Sequence, residues 1–277
     1  MGRPAWKTAA VAGACFVAAA VVSFSAAGQQ LDAWAYDFLL RLRRPAAGPT
    51  TAVIVALDEE TLRAHGNMAR LRPPLAMALE AMAGAGARAV AVDLQLADRD
   101  KPEVDGRLSR ALEALPNLAL ATTLVEDSRR NIAWEDPRRE FSRRATLGHV
   151  HADPDLDGIS RQVLLEQSDG RQRRWALALE AFRLANGAGQ IVETEEDLRL
   201  GNLVIPASRR ERRALRVRYL SPSVERISVS ELIERPQTAA RLRARAAHPW
   251  ASGPPPGPAA ARLHPPPPRP ALKVGAR

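Results

Sequence analysis

The sequence predicts an α/β domain with a mixed, partly parallel sheet flanked by helices, preceded by one transmembrane helix. Two observations carry this. Residues 8 to 27, TAAVAGACFVAAAVVSFSAA, hold no charge. Between residues 53 and 124, short apolar runs alternate with helix-length segments in the order strand, helix, strand, helix, strand. That order implies parallel pairing through right-handed crossovers. A chain of 277 residues is long enough to bury one real core.

The uncharged run comes first. Twenty helical residues rise about 30 Å, enough to cross the hydrocarbon of a bilayer. Arg3 and Lys7 precede it, so its N-terminal side stays in the cytoplasm and the rest is exported. A retained anchor over 8–28 is preferred to a cleaved signal peptide because the run exceeds a usual signal core, although Ser25-Ala26-Ala27 offers small residues for a cut. The organisation expected is a cytoplasmic N-terminus over 1–7, the membrane helix over 8–28, an extracytoplasmic domain over 29–245 and a proline-rich tail over 246–277. Residues 30–45 place Leu31, Trp34, Phe38 and Leu42 on one helical stripe ended by Pro45. This segment reads as a stalk continuing the membrane helix or as an amphipathic helix packed on the domain, and the two readings are compatible.

Val53 to Leu57 is a β-branched run ending at Asp58, read as a buried strand. Residues 72–87 open on proline and close near glycine, the polarity of a helix. Residues 88–96 are a second strand carrying Asp93, 105–116 a helix capped by Asp105, and 117–124 a third strand. The mixed charges of 126–146 read as a surface loop. LGHVHADPD and ISRQVLLEQ are strand-like around an aspartate stretch. Residues 173–186 form a helix with Trp175, Leu179 and Phe182 on one face and Gly187 as its stop. GNLVIPA and ALRVRYLS are strands, and SVSELIER is a short helix capped by Ser228 or Ser230.

The net charge of +9 does not point to nucleic acid. Seven Lys and Arg and no acid fall between Arg241 and Arg277, leaving 33 bases against 31 acids before them. Arg outnumbers Lys 37 to 3, a coding bias rather than a phosphate-binding surface. No aromatic-studded basic strand or zinc-finger spacing is present. The single cysteine, Cys15, lies in the apolar run, so no intrachain disulfide or cysteine metal site forms.

The order of these motifs resembles the CHASE2 domain, an extracytoplasmic sensor module of bacterial membrane receptors. The matching stretches are DAWAYDFLLRLR behind the apolar run, VIVALDEETL, AGARAVAVDLQLAD, DGRLSRALEALPNLALAT, LGHVHADPDLDGISRQV, WALALEAFRL, LVIPA, RVRYLSP and ISVSELIE, spread over residues 31 to about 243. The chain departs from the family after the first strand. HGNMARLRPP lacks the tryptophans common there and offers Arg70 or Arg72 for the family's arginine.

Asp153, Asp155, Asp157 and Gly158 match the first half of an EF-hand loop. The position of its bidentate glutamate is Leu164, so the stretch reads as a turn between two strands, as the resemblance also implies. His149 and His151 are spaced like metal ligands but are read as ordinary residues of a strand, and neither metal nor cofactor is expected. Asp58 and Asp93 stand at the C-terminal ends of candidate parallel strands, where α/β sheets bind ligands. With Arg72 they are the candidate site for a polar small molecule. The competing reading has these aspartates capping the next segment.

Past residue 245 the resemblance implies a further strand, membrane helices and a cytoplasmic cyclase, diguanylate cyclase or kinase. The chain instead carries ten of its 22 prolines after residue 240. A natural proline-rich ligand is one reading. A frameshift near Arg245 is preferred, because CAY-CCN-TGG for His248-Pro249-Trp250 shifts by one base to a frame that can spell Ile-Leu-Gly. No nucleophile elbow, P-loop, HExxH or dinucleotide glycine motif occurs. The expected function is therefore a non-catalytic sensor domain in the inner membrane, single-pass, with the bulk of the chain extracytoplasmic and no output domain of its own. Its expected partners are the membrane and an unidentified small-molecule ligand. A homodimer is compatible with this reading, and nucleic acid is not. The alternative is an exported scaffold that binds partners through the proline-rich tail.

Overall fold

A computed structural model describes residues 5–42, 52–66, 70–217 and 224–246. The chain opens with two helices, α1 (Ala5–Ser23) and α2 (Ala26–Leu42). The uninterrupted span expected over 8–28 is broken at residues 24 and 25. Ser25 Oγ donates to the carbonyl of Val22 at 2.7 Å and accepts from the Gly28 amide at 3.2 Å. A Cβ on Gly28 would lie 2.0 Å from the Val22 carbonyl oxygen, so the corner requires glycine there. Among the described residues no single helix is long and apolar enough to cross a membrane. Ala9–Ser23 and Ala26–Leu42 meet that condition only as a pair, bent by 77°.

The body follows with β1 (Val53–Ala56), α3 (Glu59–His65), α4 (Arg72–Gly84), β2 (Val90–Val92), α5 (Pro102–Glu113), β3 (Leu118–Glu126), β4 (Ile132–Glu135), α6 (Arg139–Ser142) and β5 (Thr146–His149). β3 is the central strand. It runs parallel to β2 on one side and to β5 on the other, and its second half pairs antiparallel with β4. Side chains alternate across a strand. Leu118 and Leu120 accordingly join Leu79, Leu108 and Leu112 from α4 and α5. Ala119 and Ala121 face the other way, against Leu177. Burial on both faces explains why the first half of β3, Leu118 to Ala121, reads as an unbroken apolar run.

The second half contains β6 (Gln162–Leu164), β7 (Glu166–Ser168), β8 (Arg173–Trp175), α7 (Leu177–Ala185), β9 (Val192–Glu193), β10 (Asp197–Leu200), β11 (Leu203–Pro206) and β12 (Ala214–Arg216). These strands form small antiparallel pairs and a three-stranded meander around Leu165, Leu179, Leu198 and Leu200. Arg213 locks this lobe from inside. It is 1% exposed and donates to the carbonyls of Ala207 and Thr194, each at 2.6 Å. The chain then returns as β13 (Glu225–Ser228), α8 (Val229–Glu234) and α9 (Pro236–Ala246).

The structure is mixed α/β, but its topology differs from expectation in particulars. β1 pairs in parallel with β13 rather than with β2. The loop expected over 126–146 contains β4 and α6, and Phe141 of α6 is a core residue. Asp105 does not cap α5, which starts at Pro102. It lies in the first turn, where its carboxylate accepts from the Asp100 amide at 3.0 Å. α2 turns its apolar stripe outward and packs through its other face. The tail from 247 onward, with the frameshift expectation, lies outside the described residues, as do 67–69 of the HGNMARLRPP loop.

Candidate functional site

Asp58 stands two residues beyond β1, in extended backbone, and caps α3. Its Oδ1 accepts from the Thr61 amide at 3.1 Å, the Thr61 hydroxyl at 3.0 Å and the Ser228 hydroxyl at 2.8 Å. Burial pushes its pKa up, but these hydrogen bonds outweigh burial and hold the carboxyl below its usual range. Asp58 thereby ties the ends of β1 and β13 to α3. Ser228, the residue before α8, uses its hydroxyl on this carboxylate rather than on its own helix.

Arg72 opens α4. Its guanidinium pairs with Asp105, donates to the Asp98 carbonyl at 2.7 Å and lies 5.7 Å from the centre of the Phe141 ring. Asp93 follows β2 directly and is exposed. The strands that carry Asp58 and Asp93 belong to separate hydrogen-bonded sheets. Among the described residues no hydrogen bond or ion pair joins Asp58, Asp93 and Arg72 to one another. The end of the parallel sheet near β3 is closed by the protein's own groups. Thr122 and Arg174 both bond Asp136, and the Arg174 guanidinium stacks 4.7 Å from the Trp134 ring.

The aspartate stretch forms a tight turn. The Gly158 amide donates to the Asp155 carbonyl at 2.9 Å, with Gly158 at φ +78°, and the Ile159 amide donates to Asp157 Oδ1 at 3.1 Å. The turn does not close a hairpin, because β5 joins β3 while β6 pairs with β12. Its carboxylates converge on Arg161, a residue that no sequence motif singles out. Arg161 is 5% exposed. Its Nη1 donates to Asp155 and Asp157 at 3.0 Å each, and its Nη2 donates to Asp157 at 2.8 Å. The Arg161 hydrogen bonds lower the Asp157 pKa to about 2. On its remaining side Arg161 grips Asp37 of α2. The signal is present as an arginine four residues after Asp157, but spacing alone does not show that the carboxylates fold back onto it. With a guanidinium among the carboxylates and Leu164 buried in β6, the turn has the chemistry of an ion-pair node.

His149 ends β5 and is 2% exposed. Neither ring nitrogen makes a hydrogen bond of good geometry. Burial, then the neighbouring His151, push its pKa down to about 4. His151 lies past the strand with its Nε2 3.1 Å from Asp153. The described residues contain no group of three or more His, Cys, Asp or Glu placed to hold a metal ion.

In comparison with known proteins, the family model for the CHASE2 domain aligns with residues 13–248. Searches of curated proteins and of solved structures return no match. The aligned stretch spans the corner between α1 and α2, the central sheet, the Arg161 node and the return of β13 beside β1, and by that extent this chain belongs to the CHASE2 family of extracytoplasmic sensor domains.

Proposed function

We propose that this chain is the sensory head of a bacterial signal-transduction receptor, anchored in the inner membrane by its N-terminal helix and facing away from the cytoplasm. The carrying observation is that the family match begins inside α1 and continues through the whole body. The character of α1 supports the anchor. Phe16, Val17 and Val21 are exposed on it, which is unfavourable in water and favourable in lipid. On this reading residues 1–7 are cytoplasmic, 8–28 supply the anchor, 29–245 form the sensor and 246–277 are a tail. The head performs no catalysis. It binds a small polar molecule and signals by favouring one arrangement of the receptor over another. Asp58, Asp93 and Arg72 remain the residues proposed for that ligand, and a homodimer is the proposed assembly.

Alkaline phosphatase fused after residue 246 tests the topology. Active enzyme in the intact cell is expected, and a phosphatase active only after the cell is opened overturns the reading. For the ligand, full-length protein in detergent micelles is screened by thermal shift against polar metabolites. A hit whose shift survives Asp93→Ala and Arg72→Gln removes those residues from the site.

A further inference from the structure

The two faces of α2 have different partners. One face is taken by the head. Tyr36 Oη donates to the Val217 carbonyl at 3.2 Å, the Arg216 guanidinium lies 5.3 Å from the Tyr36 ring centre, and Asp37 binds Arg161 through both oxygens. On the other face, at 100° per residue, Leu31, Trp34, Phe38 and Leu42 fall within an arc of about 80°. These four side chains are between 54% and 65% exposed. A stripe of two aromatics and two leucines on one helix face is a contiguous apolar patch, and such patches mark a surface that something covers.

The geometry of the corner limits what can cover it. α1 and α2 are bent by 77° at the break of residues 24–25. On the proposed anchoring, with α1 reaching into the bilayer near its normal, α2 runs about 13° from the membrane plane, as 90° minus 77°. The helix leaves the membrane and turns along its surface. Helices that lie in that plane bury an apolar face rich in Trp, Phe and Leu at the boundary of headgroups and acyl chains. Tryptophan favours this depth because its ring is apolar and its N–H is polar. Arg41, at the far end of α2, is placed to reach lipid phosphates along its apolar stem.

We propose that α2 is an interfacial helix whose Leu31–Trp34–Phe38–Leu42 stripe rests in the outer leaflet, so that the head sits on the lipid surface instead of standing away on a stalk. The inference rests on the anchoring of α1 proposed above. It adds that α2 faces two ways, with lipid on one side and the Arg161 node on the other.

The test uses the full chain in phosphatidylcholine–phosphatidylglycerol vesicles. Cys15→Ser removes the one native thiol. Single cysteines then replace Leu31, Phe38, Val17 in α1 or Asp169 on an exposed loop, each carrying a nitroxide. Relaxation by oxygen and by a water-soluble nickel chelate is compared. The expected result is an oxygen-dominated signal at Leu31 and Phe38 at headgroup depth, a deeper one at Val17, and a nickel-dominated one at Asp169. Aqueous labels at Leu31 and Phe38 with Val17 still in lipid overturn the inference and leave the anchor standing. An aqueous Val17 overturns both. Labels at Leu31 and Phe38 shielded from both relaxants and broadened by a second label show that another copy covers the stripe, and this also overturns the inference.

Discussion

Arg161 donates to both carboxylate oxygens of Asp37, at 2.9 and 2.8 Å, across 124 positions of sequence. This bidentate pair is an ionic link between α2 and the body. The same guanidinium is held by Asp155 and Asp157, so the link is fixed on the body side and α2 is the movable partner. A bidentate arginine–carboxylate pair adds geometric specificity as well as energy, and neither lysine nor asparagine can replace it. We predict that Asp37→Asn lowers hydrogen-exchange protection of the α2 amides by about tenfold, since a hydrogen bond to a charged group contributes about 1.5 kcal/mol or more. Protection in β3 should not change. Unaltered exchange in α2 would show that Tyr36 and its neighbours hold the helix alone.

Asp157 reports on the same node. Hydrogen bonds from Arg161 lower its pKa from the ordinary 3.8 to about 2. A depressed carboxylate contributes stability that is complete above the unfolded value and is lost as pH falls through the folded one. The window therefore runs from about pH 4 down to about pH 2. Carboxyl-detected NMR should place the Asp157 titration near the bottom of that window. Arg161→Gln should return it towards 3.8. A wild-type titration already at the ordinary value would refute the arrangement.

His149 gives a separate pH dependence at higher pH. Burial lowers its pKa from 6.5 to about 4. Here the neutral form is favoured by folding. The stability is complete above pH 6.5 and is lost as pH falls towards 4. A depression of this size corresponds to about 3 kcal/mol at full extent. Urea unfolding at pH 7.5 and pH 5 should show a clear loss in the wild type. His149→Leu, apolar and close to histidine in volume, should flatten that difference. An equal loss in the variant would assign the effect to other groups.

Legibility follows the range of the interactions. α4, with proline at its start and glycine at its end, and β3, with its apolar run, are readable because their signals are local. The partner of β1 is not, since β13 lies about 170 residues away and nothing in Val53–Ala56 specifies which parallel neighbour it meets. Phe141 escapes a sequence reading because it is one aromatic among charges, and only tertiary packing shows that it is buried. The stripe of α2 is legible as a stripe, but periodicity does not say whether the apolar side meets protein or lipid. Of the site, the cap at Asp58 is visible in Asp-Glu-Glu-Thr. The Arg161 node is not, because its fourth member, Asp37, comes from a different part of the chain.

Asp58 separates two roles by experiment. As a cap and a tie to Ser228, its replacement by alanine should cost about 1 kcal/mol in chemical denaturation. Asp58→Asn keeps an acceptor for the Thr61 amide and should recover much of that loss. A ligand that needs the negative charge would instead lose its thermal shift with asparagine as fully as with alanine. Stability restored together with binding restored would leave Asp58 a purely structural residue.

Gly148 marks the tightest approach between the central sheet and the helix behind it. A Cβ there would lie 2.6 Å from Leu177 Cα and 2.9 Å from its amide nitrogen. These are backbone atoms at the start of α7, so no side-chain rotation relieves the clash. Leu177 in turn packs on Ala119 and Ala121 of β3. An added methyl therefore has to part β5 from α7 or shift both, and overpacking of this kind costs about 1–3 kcal/mol. Gly148→Ala should be destabilised by that amount in urea. Gly84→Ala provides the control, because Gly84 closes α4 and a methyl added there meets nothing within 4 Å. In that helix alanine should be neutral or stabilising by up to about 1 kcal/mol. The two substitutions add the same atom with opposite expected signs, and equal effects would mean that the close contact between β5 and α7 does not exist in solution.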